Sequence, residues 1–173
     1  IAVLAIDPSS PFSRGAFLGD RIRFAESFND SGVFIRSIGS RGSTGGLTAS
    51  SYLLLSAFDA WKFDIVLVET VGVGQTELDV MYATDHVVVT LVPEAGDSIQ
   101  AMKAGLLEIA DLFVVNKADR PGSEAFAKEL RESLLLVDDH QDIKVLMTDA
   151  INNQGIGDLV DQIMEAKSKP TAF

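Results

Sequence analysis

Short apolar runs alternate with longer amphipathic stretches along the chain, and polar or glycine-rich residues follow most of the runs. Strands of a parallel sheet are covered by helices on both faces and are therefore apolar at successive positions, so this alternation predicts an α/β fold. The predicted strands are residues 1–6, 33–38, 64–68, 86–92, 112–115 and 143–147. The predicted helices are residues 21–28, 47–61, 98–109, 123–137 and 156–166.

Length and composition favour one domain. The chain has 173 residues, of which 47% are hydrophobic, and this is enough to bury a core. There is no internal repeat or linker, so we expect a single domain over residues 1–167. Residues 168–173 contain Pro170 and are expected to form a C-terminal tail.

Charge and cysteine content exclude several classes of function. The net charge of -11 opposes nucleic-acid binding, and the absence of cysteine excludes disulfides, thiolate metal sites and cysteine nucleophiles. No apolar run is long enough to span a membrane and no signal peptide begins the sequence, so a soluble, cytoplasmic protein is expected. His86 and His140 lack metal-ligand spacing.

The most informative motif, Asn-Lys-Ala-Asp at residues 116–119, directly follows a predicted strand. At the C-terminal edge of a sheet, the Asp119 carboxylate would accept hydrogen bonds from N1–H and the exocyclic amine of guanine. Adenine has an acceptor at N1 and no amine at C2, and an unpaired desolvated carboxylate costs roughly 1–3 kcal/mol. The alternative is an ordinary polar turn with no ligand, since Asn, Lys and Asp are common in loops.

Two acidic segments predict a metal and phosphate site. Glu69 ends a predicted strand and Gly72 follows in a glycine-rich turn, a pattern in which the acid orients Mg²⁺ and the glycine N–H senses a γ-phosphate. Asp7 and Asp20 bracket a polar loop that would wrap around the same ion. The alternatives are a ligand-free turn after Glu69, an Asx turn at Asp7 and a helix N-cap at Asp20, and spacing alone favours the cap.

Two further loops carry weaker signals. Thr148, Asp149 and Ala150 follow the sixth predicted strand, where backbone N–H groups would face the guanine carbonyl. Residues 40–46 are rich in glycine and serine but lack the Gly-Lys-Ser/Thr ending of a phosphate-binding loop, so a contact-making loop is expected there instead.

Taken in order, these segments closely resemble the MeaB/ArgK family of P-loop GTPases. The matching segments are residues 5–10 (AIDPSS), 18–23 (LGDRIR), 68–75 (VETVGVGQ), 95–97 (AGD) and 116–119 (NKAD). The resemblance implies a three-layer P-loop NTPase-type fold with a mainly parallel sheet. It also implies an Mg²⁺-dependent, GTP-hydrolysing chaperone of adenosylcobalamin-dependent methylmalonyl-CoA mutase that forms a homodimer.

The resemblance also implies a role for individual residues. Asp7, Asp20 and Glu69 become the acids associated with Mg²⁺, which replaces the capping interpretation of Asp20, and Gly72 becomes the γ-phosphate sensor. The implied guanine-nucleotide contacts are Asn116, Lys117, Asp119, Thr148, Asp149 and Ala150. Residues 93–103 match a segment that responds to nucleotide and meets the mutase.

The chain departs from the family pattern in three places. Val73 occupies the position where many small GTPases carry a water-orienting glutamine, which predicts slow hydrolysis without a partner. Asp149 replaces the usual serine and adds a negative charge near the base. The family's P-loop belongs before Ile1, so a fragment lacking the P-loop strand and helix is expected, with exposed edges or faces at strands 1–6 and 64–68. The dimerisation helices that follow the GTPase domain in the family are expected to be missing too.

Two other functions are compatible with the motifs. One is a non-catalytic interaction fragment of such a GTPase. The other is an ATPase or kinase of a lysine/arginine/ornithine transport system, a label that some family members carry, and Asp119 argues against it. A dinucleotide-binding dehydrogenase is disfavoured because Gly72-Val73-Gly74 lacks the third glycine of that fingerprint.

Overall fold

A computed structural model of the chain describes residues 1–7, 24, 27, 29–39, 47–70, 78–93, 106–136 and 142–167. The chain divides into two compact units, Ile1–Thr84 and Asp85–Phe173. Each unit has its own three-stranded parallel sheet and its own hydrophobic core.

In the first unit, β1 (Ala2–Asp7) lies between β2 (Phe34–Gly39) and β3 (Val66–Glu69), and all three strands are parallel. The expectation of an exposed edge or face at residues 1–6 was wrong for β1, because it is hydrogen-bonded on both sides and buried from Ala2 to Ile6. β3 pairs only with β1 among the described strands, and its Leu67 is 44% exposed, as expected.

Helix α1 (Ala49–Ala60) covers this sheet. It begins with a capping box, in which the Ser51 N–H donates to Thr48 Oγ1 and the Thr48 N–H donates to Ser51 Oγ. Phe58 of α1 packs with the alternate residues Leu4 and Ile6 of β1 in one core cluster. A 3₁₀ helix at Leu78–Tyr82, which the apolar pattern did not predict, also belongs to this unit.

In the second unit, β5 (Leu112–Val115) lies between β4 (Val88–Leu91) and β6 (Lys144–Met147), again with parallel pairing. All four residues of β5 are buried, which explains the unbroken apolar sequence of this strand. Leu91 and Met147 both pair with Val115. The three strands therefore end at the same level, and the residues that follow them lie along one edge.

Helices α2 (Leu106–Ile109) and α3 (Ser123–Leu134) bury apolar residues against the sheet of the second unit. The stripe on α3 consists of Phe126, Ala127, Leu130 and Leu134, at the spacing of one helix face. Helix α4 (Ile156–Lys167) has no fully buried residue. Its Gln162 Oε1 accepts a 2.6 Å hydrogen bond from Lys144 Nζ on β6.

These elements confirm the predicted α/β fold class, and all six predicted strands are present. Most of the predicted helix at residues 21–28 and most of that at 98–109 lie outside the described residues. No helix in the described ranges is both long enough and apolar enough to cross a bilayer.

Candidate functional site

The Asn-Lys-Ala-Asp turn is attached by its backbone to both neighbouring strands of the second unit. The Asn116 N–H donates to the Leu91 carbonyl over 2.8 Å, and the Ala118 N–H donates to the Thr148 carbonyl over 2.9 Å. The Thr148 N–H in turn donates to the Val115 carbonyl over 2.9 Å. Sheet-like pairing therefore continues past the strand ends and fixes the position of the turn.

The turn has an unusual backbone conformation at Lys117, whose φ is 59°. Residues other than glycine seldom occupy this left-handed region. Here the Arg120 N–H closes the turn on the Lys117 carbonyl over 3.0 Å, and Ser123 Oγ donates to the Ala118 carbonyl over 2.8 Å. Because Ser123 is the first residue of α3, the same contacts connect the turn to the start of that helix.

The side-chain amide of Asn116 has a defined orientation. Its Oδ1 accepts hydrogen bonds from Thr148 Oγ1 at 3.1 Å and from the Ala150 N–H at 3.2 Å. A backbone N–H can only donate, so the amide atom that faces Ala150 must be the oxygen. The Nδ2 group is then on the opposite branch of the amide, and no described residue accepts a hydrogen bond from it.

Asp119 is the acceptor at this end of the strand. Its side chain is 52% exposed, and its Oδ2 lies 3.8 Å from Nε of the equally exposed Arg120. An exposed pair at this distance contributes little to stability. The carboxylate oxygens are therefore accessible to a ligand, and burial of Asp119 would require that ligand to cover it.

Residues 148–155 form a closed turn after β6. The backbones of Asp149 and Gln154 exchange two hydrogen bonds of 3.0 Å. The Asp149 carboxylate, only 4% exposed as a residue, accepts hydrogen bonds from both the side-chain amide and the backbone N–H of Asn152. These bonds, with that of the Asn152 side chain the strongest, lower the pKa of Asp149 below its ordinary value, while burial acts in the opposite direction.

The residues predicted to bind metal and phosphate belong to the first unit. Glu69 is half-buried at the end of β3, opposite Ala5 of β1, and it has an interaction partner. Asp7 ends β1, and the described part of the structure does not include its side chain. Asp20 and Gly72 lie outside the described residues. Within those residues no group of three or more acidic or histidine side chains is placed to hold a metal ion, so the Mg²⁺ site stays a prediction.

Sequence reasoning missed three residues that shape the site: Asn152, Gln154 and Gly155. Gly155 has φ of 69°, and a Cβ there would lie 2.2 Å from the Met147 carbonyl oxygen, so only glycine fits without a shift. The Asn-Asn-Gln-Gly composition of residues 152–155 is typical of a turn and was the available signal.

Comparison with known proteins identifies the family of the chain. A family model described as methylmalonyl Co-A mutase-associated GTPase, MeaB, matches residues 1–172. A Pyrococcus abyssi protein is 48% identical over 170 residues, which cover 95% of this chain and 52% of that protein. The Escherichia coli GTPase ArgK is 36% identical, with 99% of this chain and 54% of ArgK covered.

A solved structure, the crystal structure of LAO/AO transport system kinase, has 29% sequence identity and a TM-score of 0.68, and covers 96% of this chain and 49% of that one. The chain thus spans about half the length of the curated relatives named above. The family match extends over nearly all of its own length. The chain therefore belongs to the family of methylmalonyl-CoA mutase-associated GTPases, MeaB.

Proposed function

We propose that the protein containing this chain binds guanine nucleotides and hydrolyses GTP, and that the base is recognised by the turn after β5. The observation that supports this most directly is the orientation of the Asn116 amide, whose oxygen accepts hydrogen bonds from Thr148 and Ala150. Its Nδ2 donor and the exposed Asp119 acceptor follow the same strand.

The chemistry of these groups suits guanine. The Asp119 carboxylate would accept from N1–H and the 2-amino group, and Asn116 Nδ2 would donate to N7. The Ala150 N–H, which donates to Asn116 Oδ1, would also donate to the base carbonyl. Adenine would leave Asp119 without a donor, at a cost of roughly 1–3 kcal/mol. Lys117 is exposed in the same turn, where its apolar stem would cover the base.

Phosphate and metal binding are proposed for Asp7, Asp20, Glu69 and Gly72. Asp7 and Glu69 end adjacent parallel strands, and carboxylate oxygens are the ligands that Mg²⁺ prefers. The ion would neutralise charge on the β- and γ-phosphates when bound. Because Val73 cannot orient water by hydrogen bonding, we propose that a partner supplies this function and that unassisted hydrolysis is slow.

The proposed partner is an adenosylcobalamin-dependent methylmalonyl-CoA mutase, for which the protein would act as a chaperone. The family description, which names this mutase, supports the proposal. Residues 1–167 would form the nucleotide-binding part of a cytoplasmic homodimer that neither inserts into membranes nor binds nucleic acid.

A second candidate is an ATP-using kinase of a lysine/arginine/ornithine transport system. The likeness to the solved LAO/AO transport system kinase favours it. The exposed Asp119 acceptor opposes it, because adenine has no donor at N1 or C2 for that group.

Nucleotide titration of the full-length natural protein distinguishes the two. We expect GTP to bind at least tenfold more tightly than ATP, and Asp119→Asn to shift the preference towards xanthosine triphosphate, whose C2 carbonyl can accept from the new amide. Glu124→Gln, which neutralises an exposed carboxylate on α3, is the matched control and should leave the preference unchanged. Equal binding of ATP and GTP would refute the guanine assignment.

A further inference from the structure

The Asp149 carboxylate accepts its hydrogen bonds within the turn that follows β6. Both of its oxygens accept from Asn152, three residues further along the chain. Among the described residues it has no hydrogen bond to Asn116, Asp119 or Thr148. The negative charge of Asp149 is thus stabilised by hydrogen bonds inside the turn.

The turn is held at both of its ends. Asp149 and Gln154 pair through two backbone hydrogen bonds, and Gly155 packs directly on the Met147 carbonyl. The hydrogen bonds that Asp149 accepts from Asn152 cross the middle of the turn. Ala150 lies between these fixed points, so the direction of its N–H depends on the closure of the turn.

That N–H decides which way the Asn116 amide faces. The Thr148 hydroxyl can donate or accept, so it would satisfy either amide orientation equally well. The Ala150 N–H only donates, so it selects the orientation with Oδ1 towards the turn. If Ala150 moved away, the amide could rotate by half a turn and present its oxygen to N7 of a purine, which is also an acceptor.

We propose that Asp149 is a positioning residue for purine recognition: by closing the turn on Asn152 it holds the Ala150 N–H against Asn116 and thereby keeps the Asn116 donor aimed at the base. This inference rests on the proposed guanine site. It predicts a change in nucleotide affinity that is opposite in sign to the change expected if the charge repelled the nucleotide directly. Removal of the carboxylate in Asp149→Ala would strengthen nucleotide binding if Asp149 repelled the ligand, but it weakens binding if Asp149 positions Ala150.

The test compares Asp149→Ala, Asp149→Asn and Asn152→Ala with the full-length wild type by fluorescent GDP displacement. We expect Asp149→Ala to weaken GDP binding by about five- to tenfold, the value of one hydrogen bond. Asp149→Asn keeps an acceptor for the Asn152 N–H and should recover most of this loss. The double variant Asp149→Ala/Asn152→Ala should bind no more weakly than Asp149→Ala alone. Asp161→Asn, which removes an exposed carboxylate from α4, is the charge control and should have no effect.

A ligand lacking N7 separates positioning from a general loss of structure. The loss caused by Asp149→Ala should be five- to tenfold with GDP and clearly smaller with 7-deaza-GDP, because the latter offers no acceptor to Asn116 and can lose only the contact between its carbonyl and the Ala150 N–H. Equal losses with both ligands would show a purely structural role and overturn the proposal. Tighter GDP binding by Asp149→Asn would also overturn it, in favour of direct repulsion.

A measurement without nucleotide makes the inference independent of the proposed function. Amide hydrogen exchange at residue 150, followed by NMR, should be at least fivefold faster in Asp149→Ala than in the wild type. Unchanged exchange would overturn the inference even if GDP binds selectively. If the wild type binds ADP as tightly as GDP, the guanine assignment fails, whereas the exchange experiment still decides whether Asp149 holds Ala150.

Discussion

At the scale of single residues, the proposed base-binding turn depends on atoms whose roles follow from hydrogen-bond direction and close approach. The Ala150 N–H fixes the Asn116 amide, and Gly155 allows residues 148–155 to fold back on β6. Neither contact involves residues adjacent in sequence. A substitution at either position therefore acts on the site from a distance along the chain.

Gly155→Ala should lower the free energy of unfolding by about 2 kcal/mol or more. The new Cβ would combine a left-handed backbone with a clash against the Met147 carbonyl oxygen. Gly157→Ala is the matched control, since a Cβ there meets no atom within 4 Å and alanine favours the helix by about 0.5–1 kcal/mol. Urea denaturation of both variants checks the contrast, and equal stabilities would show that residue 155 has more room than the structure gives it.

Asp149 should make a pH-dependent contribution to stability. Its pKa is lowered in the folded protein, mainly by the Asn152 side chain, so the unfolded state binds the proton more readily. The stabilisation is complete above the ordinary value of 3.8 and is lost as the pH falls through the lowered pKa. The stability difference between wild type and Asp149→Asn should therefore be constant from pH 5 to 7 and shrink towards pH 3. A difference that grows on acidification would contradict these hydrogen bonds.

The sequence predicted which residues lie together after β5 and β6 but not how they interact. The tetrad at 116–119 and Thr148–Ala150 were identifiable because both follow apolar strands. The orientation of Asn116 was not, because the donor that selects it comes from Ala150, over thirty residues later. Asp149 was predicted only as a negative charge near the base, because its hydrogen-bond partner Asn152 was not identified from the sequence.

At the scale of secondary structure elements, continuous apolar runs predicted the central strands β1 and β5 well because successive residues of both are buried, whereas β4 alternates exposed and buried residues. The same signal failed at the end of α3. Leu135 and Leu136 extended the predicted helix to residue 137, yet α3 ends at Leu134. These two leucines are 63% and 87% exposed, so apolar character alone did not provide a packing partner.

This contrast gives a prediction for α3. Leu130→Ala removes a fully buried side chain from the core of the second unit and should cost about 2–5 kcal/mol of unfolding free energy. Leu136→Ala makes the same chemical change at a largely exposed position and should cost less than about 0.5 kcal/mol. Thermal and denaturant unfolding test both. Similar losses would mean that Leu136 is covered in solution.

At the scale of the whole molecule, net charge opposes the proposed ligand. The chain carries a formal charge of -11, and a nucleoside triphosphate is itself strongly anionic. Binding therefore needs local compensation near the phosphates. Asp7, Asp20 and Glu69 can provide it only by gathering a divalent cation, because carboxylates alone add to the repulsion.

Removal of Mg²⁺ should consequently weaken GTP binding by the full-length protein by about tenfold or more, while leaving the binding of guanosine nearly unchanged. Guanosine keeps every base contact proposed for Asn116, Asp119 and Ala150 but has no phosphate charge. The comparison uses calorimetric titration with and without EDTA at fixed ionic strength, because screening alone alters the repulsion.

Glu69→Gln should make GTP binding less sensitive to EDTA, since one acid that attracts the ion is removed. If EDTA weakens guanosine as much as GTP, the metal stabilises the base site rather than the phosphates. If EDTA changes neither, these carboxylates do not hold an ion needed for binding.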